Sequence, residues 1–264
     1  DDIIGYWNKV TWFNDQPHGD ISFIPTYLLS KFASEKYKVV LTGDGGDELF
    51  AGYTKYLDLQ KNPQPNDFFN NLSLFNEKNL SKLLHNNFKE SVDFSKPNQI
   101  YNDTLIEVEN QDIINKVLYF DTKHLLPGNN LVKPDKMAMA HGLETRSPFL
   151  DYRFFELSQS MPGDLKLKNG ETKYILKKFA EKYFDKSHVY RDKQMFTVPV
   201  GEWFKDKLKN YLLDYINSKS LKSRGIFDSK FLEQMSRNHI SGNKDYTREL
   251  RSVVNLEIWF NEFM

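Results

Sequence analysis

The chain has no cysteine in its 264 residues, which removes disulfides, zinc-thiolate sites and cysteine nucleophiles from consideration. That fits a reducing compartment, and a cytoplasmic location is the expectation. It has no net charge either: 36 basic residues balance 36 acidic ones, so no overall field draws it to nucleic acid or to an anionic membrane. No apolar run nears the roughly 20 residues of a membrane span, and no signal peptide is visible. Internal repeats and low-complexity tails are lacking as well. What remains is a chain long enough to bury a sizeable core, and one domain is expected. Its start at Asp1-Asp2 rather than Met reads as trimming or processing.

The densest signal runs from Val39 to Tyr53: Val39-Val40-Leu41-Thr42-Gly43-Asp44-Gly45-Gly46-Asp47-Glu48-Leu49-Phe50-Ala51-Gly52-Tyr53. Three apolar residues run into three glycines and three acids, after which the pattern turns helical. It reads as a buried parallel strand over 38–42 feeding a tight turn into a helix. In open α/β sheets ligands bind outside the carboxyl ends of strands, and the glycines let the backbone approach a ligand closely. Asp44 and Asp47 are three apart, so both can face one site, and such hard oxygen ligands suit Mg²⁺ bound together with phosphate. Helix capping by the same acids is the competing reading. A flat Val-Val-Leu run belongs in the middle of a parallel sheet, yet nothing downstream offers a comparable strand. Its neighbours are therefore expected in an upstream segment of a longer parent.

The rest reads as helical. Residues 1–24 show no clean period and are expected to be mostly loop. Pro25 opens a short helix, with Leu28/Phe32 and Leu29/Ala33 repeating four apart. Short helices are expected within 53–110, with a break at Pro63 and Pro65 and a loop over 88–100. A helix over 112–126 presents Ile113, Ile114, Val117, Leu118 and Leu125, and Pro127-Gly128-Asn129-Asn130 ends it. Another over 151–161 turns Phe154, Phe155, Leu157 and Ser158 inward. Trp203, Phe204, Leu208, Tyr211, Leu212 and Tyr215 line one helix, and Leu250, Val253, Val254, Ile258 and Trp259 line the last.

Three further stretches carry charge of interest. In Asp135-Lys136-Met137-Ala138 and on to Glu144-Thr145-Arg146-Ser147-Pro148-Phe149-Leu150-Asp151, the residues Glu144, Arg146 and Asp151 form a charged group in an apolar neighbourhood. Glu144 and Arg146 are either a buried structural pair or a substrate contact, for which the Arg fork is suited. His141 has no ligand-spaced partner. After a turn at Lys168-Asn169-Gly170, Lys173 falls in the first turn of a helix, where the dipole disfavours a cation unless an anion answers it. An exposed lysine paired with Glu171 is the plainer alternative. Arg191 and Lys193, if extended, point to one side and could close over anionic oxygens.

The stretch over 39–53 resembles the second signature of the asparagine synthase family, a pattern close to L-S-G-[DE]-G-x-D-E-x-F-x-G-Y. Residues 131–151 resemble its D-[RK]-x-x-M-A-x-x-x-E-x-R-x-P-[FL]-x-D element, 168–176 its G-x-x-K-x-x-L element, and 190–203 its R-x-K-x-x-F-x-x-P-x-x-x-W element. The four occur in order over nearly the whole chain. The resemblance implies an α/β fold: a mostly helical fragment of an adenine-nucleotide alpha-hydrolase-like, PP-loop ATP pyrophosphatase parallel-sheet domain, with 1–264 as the C-terminal part of one synthetase domain.

In activity it implies an ATP-dependent, amide-forming ligase. Aspartate is adenylated to β-aspartyl-AMP with release of pyrophosphate, and ammonia derived from glutamine then displaces AMP. Asp44 is implied as general base or amine-orienting acid, Lys173 as the cation stabilising developing charge, and Asp47 as the Mg²⁺ ligand. Thr42 and Gly43 are implied as backbone contacts to ATP, and Lys193 as a phosphate contact. The family's S-G-G-x-D-S pyrophosphatase loop and its N-terminal nucleophilic cysteine are absent. The missing N-terminal part of the parent is thus an expected partner, and the isolated piece is not expected to turn over. A homodimer remains open. Two alternatives stand beside this reading: a related ligase acting on a sugar, peptide or β-lactam precursor carboxylate, and a non-catalytic helical binding module.

Overall fold

Secondary structure follows where apolar residues recur at helical spacing, and most of the chain is helix. The computed structural model describes residues 3–61, 68–69, 72–73, 75, 77–193 and 198–264, and the break expected at Pro63 and Pro65 lies outside them. Two compact units share the chain: residues 1–32, 73–94 and 196–264 form one, and 33–72 and 95–195 the other.

In the first unit the helix Thr247–Phe263 buries Leu250, Val253, Val254 and Ile258, as its spacing predicts. Against it packs Ile3–Asn14, a helix where loop is expected. Its inward stripe is Trp7, Val10, Thr11 and Asn14, a good helical period whose polar half hides it. Asn255 serves two members of that stripe: its Oδ1 accepts from Trp7 Nε1 at 2.7 Å and Thr11 Oγ1 at 2.9 Å, while Asn14 Nδ2 donates to the Gln16 carbonyl at 3.0 Å. The helix Phe23–Ser34 turns Phe23, Ile24, Tyr27 and Ser30 inward, leaving the predicted Leu28, Leu29 and Phe32 exposed. The single helix expected through Trp203 and Tyr215 is two, Val200–Lys205 and Lys209–Asn217, broken at Asp206. The loop expected over 88–100 begins and ends in helix, at Asn86–Lys89 in this unit and Lys96–Ile106 in the other.

The second unit holds all four strands found among the described residues. β1 (Val39–Leu41) pairs in parallel with β2 (Glu144–Arg146). The strand is where the sequence puts it, but two expectations fail: it has a downstream neighbour, and it is not buried, since Val39 is 56% and Leu41 75% exposed. The neighbour escapes notice because Glu-Thr-Arg carries no apolar alternation. Residues two apart on a strand share a face, and so Arg146 Nε donates to Glu144 Oε1 at 2.8 Å in an exposed pair, not a buried one. Asp151 lies outside it: it caps the helix Tyr152–Ser160 and binds Arg153. That helix buries Ser158 but leaves Leu157 exposed.

β3 (Leu167–Lys168) and β4 (Glu171–Thr172) form a hairpin around Asn169 and Gly170, both with positive φ, the signature of a tight two-residue turn. The core of this unit gathers Ala51, Tyr56, Leu59, Phe68, Ile114, Val117, Leu118 and Leu167. The helix Ile113–Phe120, capped by the Asp112 side chain, does not stop at Pro127. It runs on as a π-helical segment, Asp121–Asn130, with Pro127 inside. Among the described residues no helix is long and apolar enough to cross a membrane.

Candidate active site

The candidate site lies in the second unit, at the carboxyl end of β1. Thr42 extends the ladder by donating its N–H to the Arg146 carbonyl at 2.8 Å, and its Oγ1 is buried without a hydrogen-bond partner among the described residues. Gly43 follows, then the short helix Gly46–Leu49 entered through Gly45 at φ 83°. A side chain at Gly45 would meet Leu150 at 2.3 Å and would need a strained backbone as well, so glycine is required there. Gly43 is different: a Cβ there meets nothing within 4 Å, which leaves its backbone open to approach. No side chain caps this helix by a hydrogen bond, so that part of the capping reading fails, while Asp47 and Glu48 do stand in its first turn, where the dipole favours an acid.

Asp47 is also the centre of an ion cluster. Lys193 Nζ donates to its Oδ1 at 2.6 Å, and Lys173 Nζ stands 3.0 Å from the same oxygen. Partial burial would raise the Asp47 carboxyl, but the ammonium groups of Lys173 and Lys193 outweigh it and hold the group below the usual carboxylate range. Lys193 also donates to the Gly52 carbonyl at 3.1 Å. These contacts join residues 126 and 146 positions from Asp47 in sequence, so they are a product of the fold, not of local spacing.

Lys173 is not in the first turn of its helix. It precedes Tyr174–Ala180 in the left-handed region at φ 54°, an uncommon and mildly strained state for a residue with a side chain. Its N–H bonds the Phe50 carbonyl at 3.1 Å, tying it to the strand-turn-helix element that carries Asp47. The alternative pairing with Glu171 belongs to Lys177.

Asp44 is not part of the cluster. It makes no ion pair among the described residues, and its backbone carbonyl accepts from Ser147 Oγ. Of the six residues singled out from sequence, Asp47, Lys173 and Lys193 come together, while Thr42, Gly43 and Asp44 line the turn leading to them. Arg191 lies in the same irregular stretch as Lys193, and Phe196 is outside the described residues.

Sequence reasoning missed Gly52, Tyr53, Glu48 and Asn130. A Cβ on Gly52 would stand 1.9 Å from Asp47 Oδ1 and 2.2 Å from Lys173 Cε, so this glycine is the space in which acid and lysine meet. Tyr53 holds its ring 4.4 Å from Lys193 Nζ and donates its hydroxyl to Glu48 Oε1 at 2.6 Å. Asn130, at the end of the π-helical segment, donates to the same oxygen. A signal existed: Glu48, Gly52 and Tyr53 sit inside the motif, but nothing in their spacing says what they touch.

A half-buried carboxylate carrying two ammonium groups has a local surplus of positive charge. Such a cluster can receive a polyanion, each lysine exchanging the carboxylate for a phosphate oxygen. The Asparagine synthase family matches residues 1–261, nearly end to end. The chain belongs to the asparagine synthase family. It is 28% identical to asparagine synthetase [glutamine-hydrolyzing] 1 of Bacillus subtilis over 95% of this chain and 44% of that protein. It is 27% identical to asparagine synthetase [glutamine-hydrolyzing] of Gallus gallus over 74% of this chain and 26% of that protein. The chain thus spans less than half the length of these curated relatives. It is an asparagine synthase-family chain with a mostly helical α/β fold and a small parallel sheet.

Proposed function

We propose that this chain supplies the phosphate-handling side of an ATP-dependent ligase that converts aspartate to asparagine through β-aspartyl-AMP, using glutamine-derived ammonia in the longer protein. The observation that carries the reading is the convergence of Lys173 and Lys193 on Asp47 beside the carboxyl end of β1. We read β1 and β2 as part of the parallel sheet of an adenine-nucleotide alpha-hydrolase-like domain, with Leu41 and Val39 exposed because more of that sheet would cover them.

In the first step an oxygen of the substrate's side-chain carboxylate attacks the α-phosphorus, and the bond to the bridging oxygen of pyrophosphate breaks. Lys173 and Lys193 would take up the charge that accumulates on the departing pyrophosphate, moving from Asp47 Oδ1 to phosphate oxygens. In the second step ammonia attacks the acyl carbon, AMP leaves with the oxygen that joined it, and one proton must leave the nitrogen. Asp44, at the open turn and free of ion pairs among the described residues, is assigned to orient the amine or take that proton. Thr42, with its unsatisfied Oγ1, and the open backbone of Gly43 are assigned to the nucleotide.

Mg²⁺ fits this site only in one way. Among the described residues no three His, Cys, Asp or Glu side chains converge, so these residues offer no carboxylate cage of their own. Both lysines approach Asp47 Oδ1, which leaves Oδ2 as a single carboxylate ligand, and Mg²⁺ commonly binds through one carboxylate plus substrate phosphates. Bound so, the ion would draw negative charge off the triphosphate.

The test is pyrophosphate release from ATP by the full-length parent given aspartate and ammonia, beside Asp47→Ala and Lys173→Ala. Aspartate-dependent release that is lost in both variants is expected. Release indifferent to aspartate would move the substrate to another carboxylate, and full activity in Lys173→Ala would overturn the assignment of the cluster.

A further inference from the structure

We propose that Tyr53 is a positioning residue for Lys193: its ring is the shelf on which that ammonium rests, and the buried Glu48 and Asn130 fix the ring in place. Lys193 reaches Asp47 from residues 190–193, a stretch with no helix or strand to hold it. A partly exposed ion pair is by itself a weak fixture, because a long side chain must be ordered and water screens the charges. The Tyr53 ring supplies a second attraction: its centroid is 4.4 Å from Lys193 Nζ, well inside cation–π reach. The Gly52 carbonyl, one residue away, supplies the third at 3.1 Å.

The ring is itself anchored from behind. Tyr53 Oη donates to Glu48 Oε1 at 2.6 Å and accepts from Asn130 Nδ2 at 3.2 Å, and Asn130 Nδ2 also donates to Glu48 Oε1. Glu48 is 2% exposed and makes no ion pair among the described residues. A polar group at such depth must be hydrogen-bonded, and Glu48 Oε1 meets that need through the Tyr53 hydroxyl and the Asn130 amide. Burial, and then the charge of Glu48, raise the Tyr53 pKa well above its ordinary value, so the phenol stays a donor. A phenol donating to a carboxylate is richer in electron density, which strengthens its hold on a cation. Asn130 ends the π-helical segment Asp121–Asn130, a rare geometry that is frequent at functional sites. The π segment, the buried acid, the ring and the lysine therefore form one chain of contacts ending on Asp47.

The positioning claim stands on this geometry; only its consequence for ATP rests on the reading of Lys193 as a phosphate contact. The experiment has two arms. In the first, the 264-residue chain is treated with acetic anhydride, and acetylation of Lys193 is followed by peptide mass spectrometry, with the exposed Lys219 as internal control. Tyr53→Leu is expected to speed Lys193 acetylation about 5- to 30-fold, Tyr53→Phe less than threefold because the ring remains, and Glu48→Gln by an intermediate factor. Lys219 is expected to change less than twofold. An unchanged Lys193 rate in both Tyr53→Leu and Glu48→Gln, or an equal rise at Lys219, overturns the proposal. In the second arm, the KM for ATP is measured in the full-length parent carrying Tyr53→Leu, Lys193→Gln or both. The two substitutions are expected to be non-additive, Tyr53→Leu having little effect once Lys193 is gone. If acetylation responds while KM does not, Tyr53 positions Lys193 and the phosphate role of Lys193 fails instead.

Discussion

The second unit contains two lysine–carboxylate clusters of opposite design. Asp121 is fully buried, its Oδ2 bound by Lys55 at 2.5 Å and by the Tyr56 hydroxyl, with Lys55 lodged 5.1–5.3 Å from the rings of Tyr53, Tyr56 and Phe68. Asp47 is a quarter exposed and holds two lysines brought from far along the chain. In the first, charges balance one to one between a fully buried acid and a ring-flanked lysine that is 27% exposed. In the second, cations outnumber the acid and solvent can reach them. A balanced pair holds structure together, whereas a surplus of one sign leaves capacity for a ligand of the other.

The sharpest break between the two is in stability. Asp121→Ala removes a fully buried acid and leaves the Tyr56 hydroxyl without its acceptor; because the Lys55 side chain left behind is 27% exposed and can reach water, the cost falls at the low end of that for breaking a buried pair, about 3 kcal/mol. Asp47→Ala relieves no burial of that kind, and a loss of about 1 kcal/mol or less is expected. Urea unfolding of the two variants measures both, and equal losses would erase the distinction. Activity of the parent is expected to run the other way, with Asp47→Ala the more damaging.

Backbone substitutions sharpen the same contrast at smaller scale. Gly52→Ala drives a methyl into Asp47 Oδ1 and Lys173 Cε, and overpacking of this kind costs about 1–3 kcal/mol. Because the strain falls on the cluster, weaker ATP use should accompany the lowered urea midpoint. Gly43→Ala meets nothing within 4 Å and is expected to stay within about 0.5 kcal/mol of the parent. A neutral Gly52→Ala would mean that Asp47 and Lys173 do not depend on that space.

What could be seen in advance followed the same line. The strand, the turn and three members of the cluster were legible because the motif over 39–53 and the elements around Lys173 and Lys193 are local patterns. Which charges pair was not: Asp47 meets Lys173 and Lys193 only through the fold, and Lys177, not Lys173, takes Glu171. Helix Ile3–Asn14 was hidden because half its buried stripe is polar, and the Asn255 that bonds Trp7 and Thr11 lies 248 and 244 residues away. β2 was hidden because a strand with one neighbour and polar faces shows no alternation. In each case the missing information was the identity of a distant partner.

The two carboxyls should also separate by pH. Desolvation opposes but does not overcome the lysines at Asp47, whose carboxyl is depressed. The native state then holds fewer protons than the unfolded chain near pH 4, and this contribution to stability is lost as pH falls through the depressed value. At Asp121 burial prevails over Lys55 and Tyr56, and the carboxyl is raised. There the native state holds more protons just above the ordinary carboxyl value, so stability declines as pH rises through that window. Unfolding free energies from pH 3 to 7 are expected to flatten on the acid side in Asp47→Asn and to lose the opposing slope in Asp121→Asn. Slopes of the same sign would break the comparison.

The smallest effect is expected at Glu144 and Arg146, which extend the comparison to an ion pair largely open to water. Their side chains are 45% and 69% exposed, on a two-residue repeat of an edge strand. Water already solvates both charges, and ordering two long side chains offsets most of the attraction, so Glu144→Gln should alter stability by about 0.5 kcal/mol or less. The same substitution in the full-length parent separates two uses of the pair. If stability is unchanged, a rise in the KM for the acceptor carboxylate assigns the pair to a substrate contact, because a structural brace would have shown in the unfolding midpoint. An unfolding midpoint that drops as far as that of Gly52→Ala would show instead that the pair braces β2 against β1.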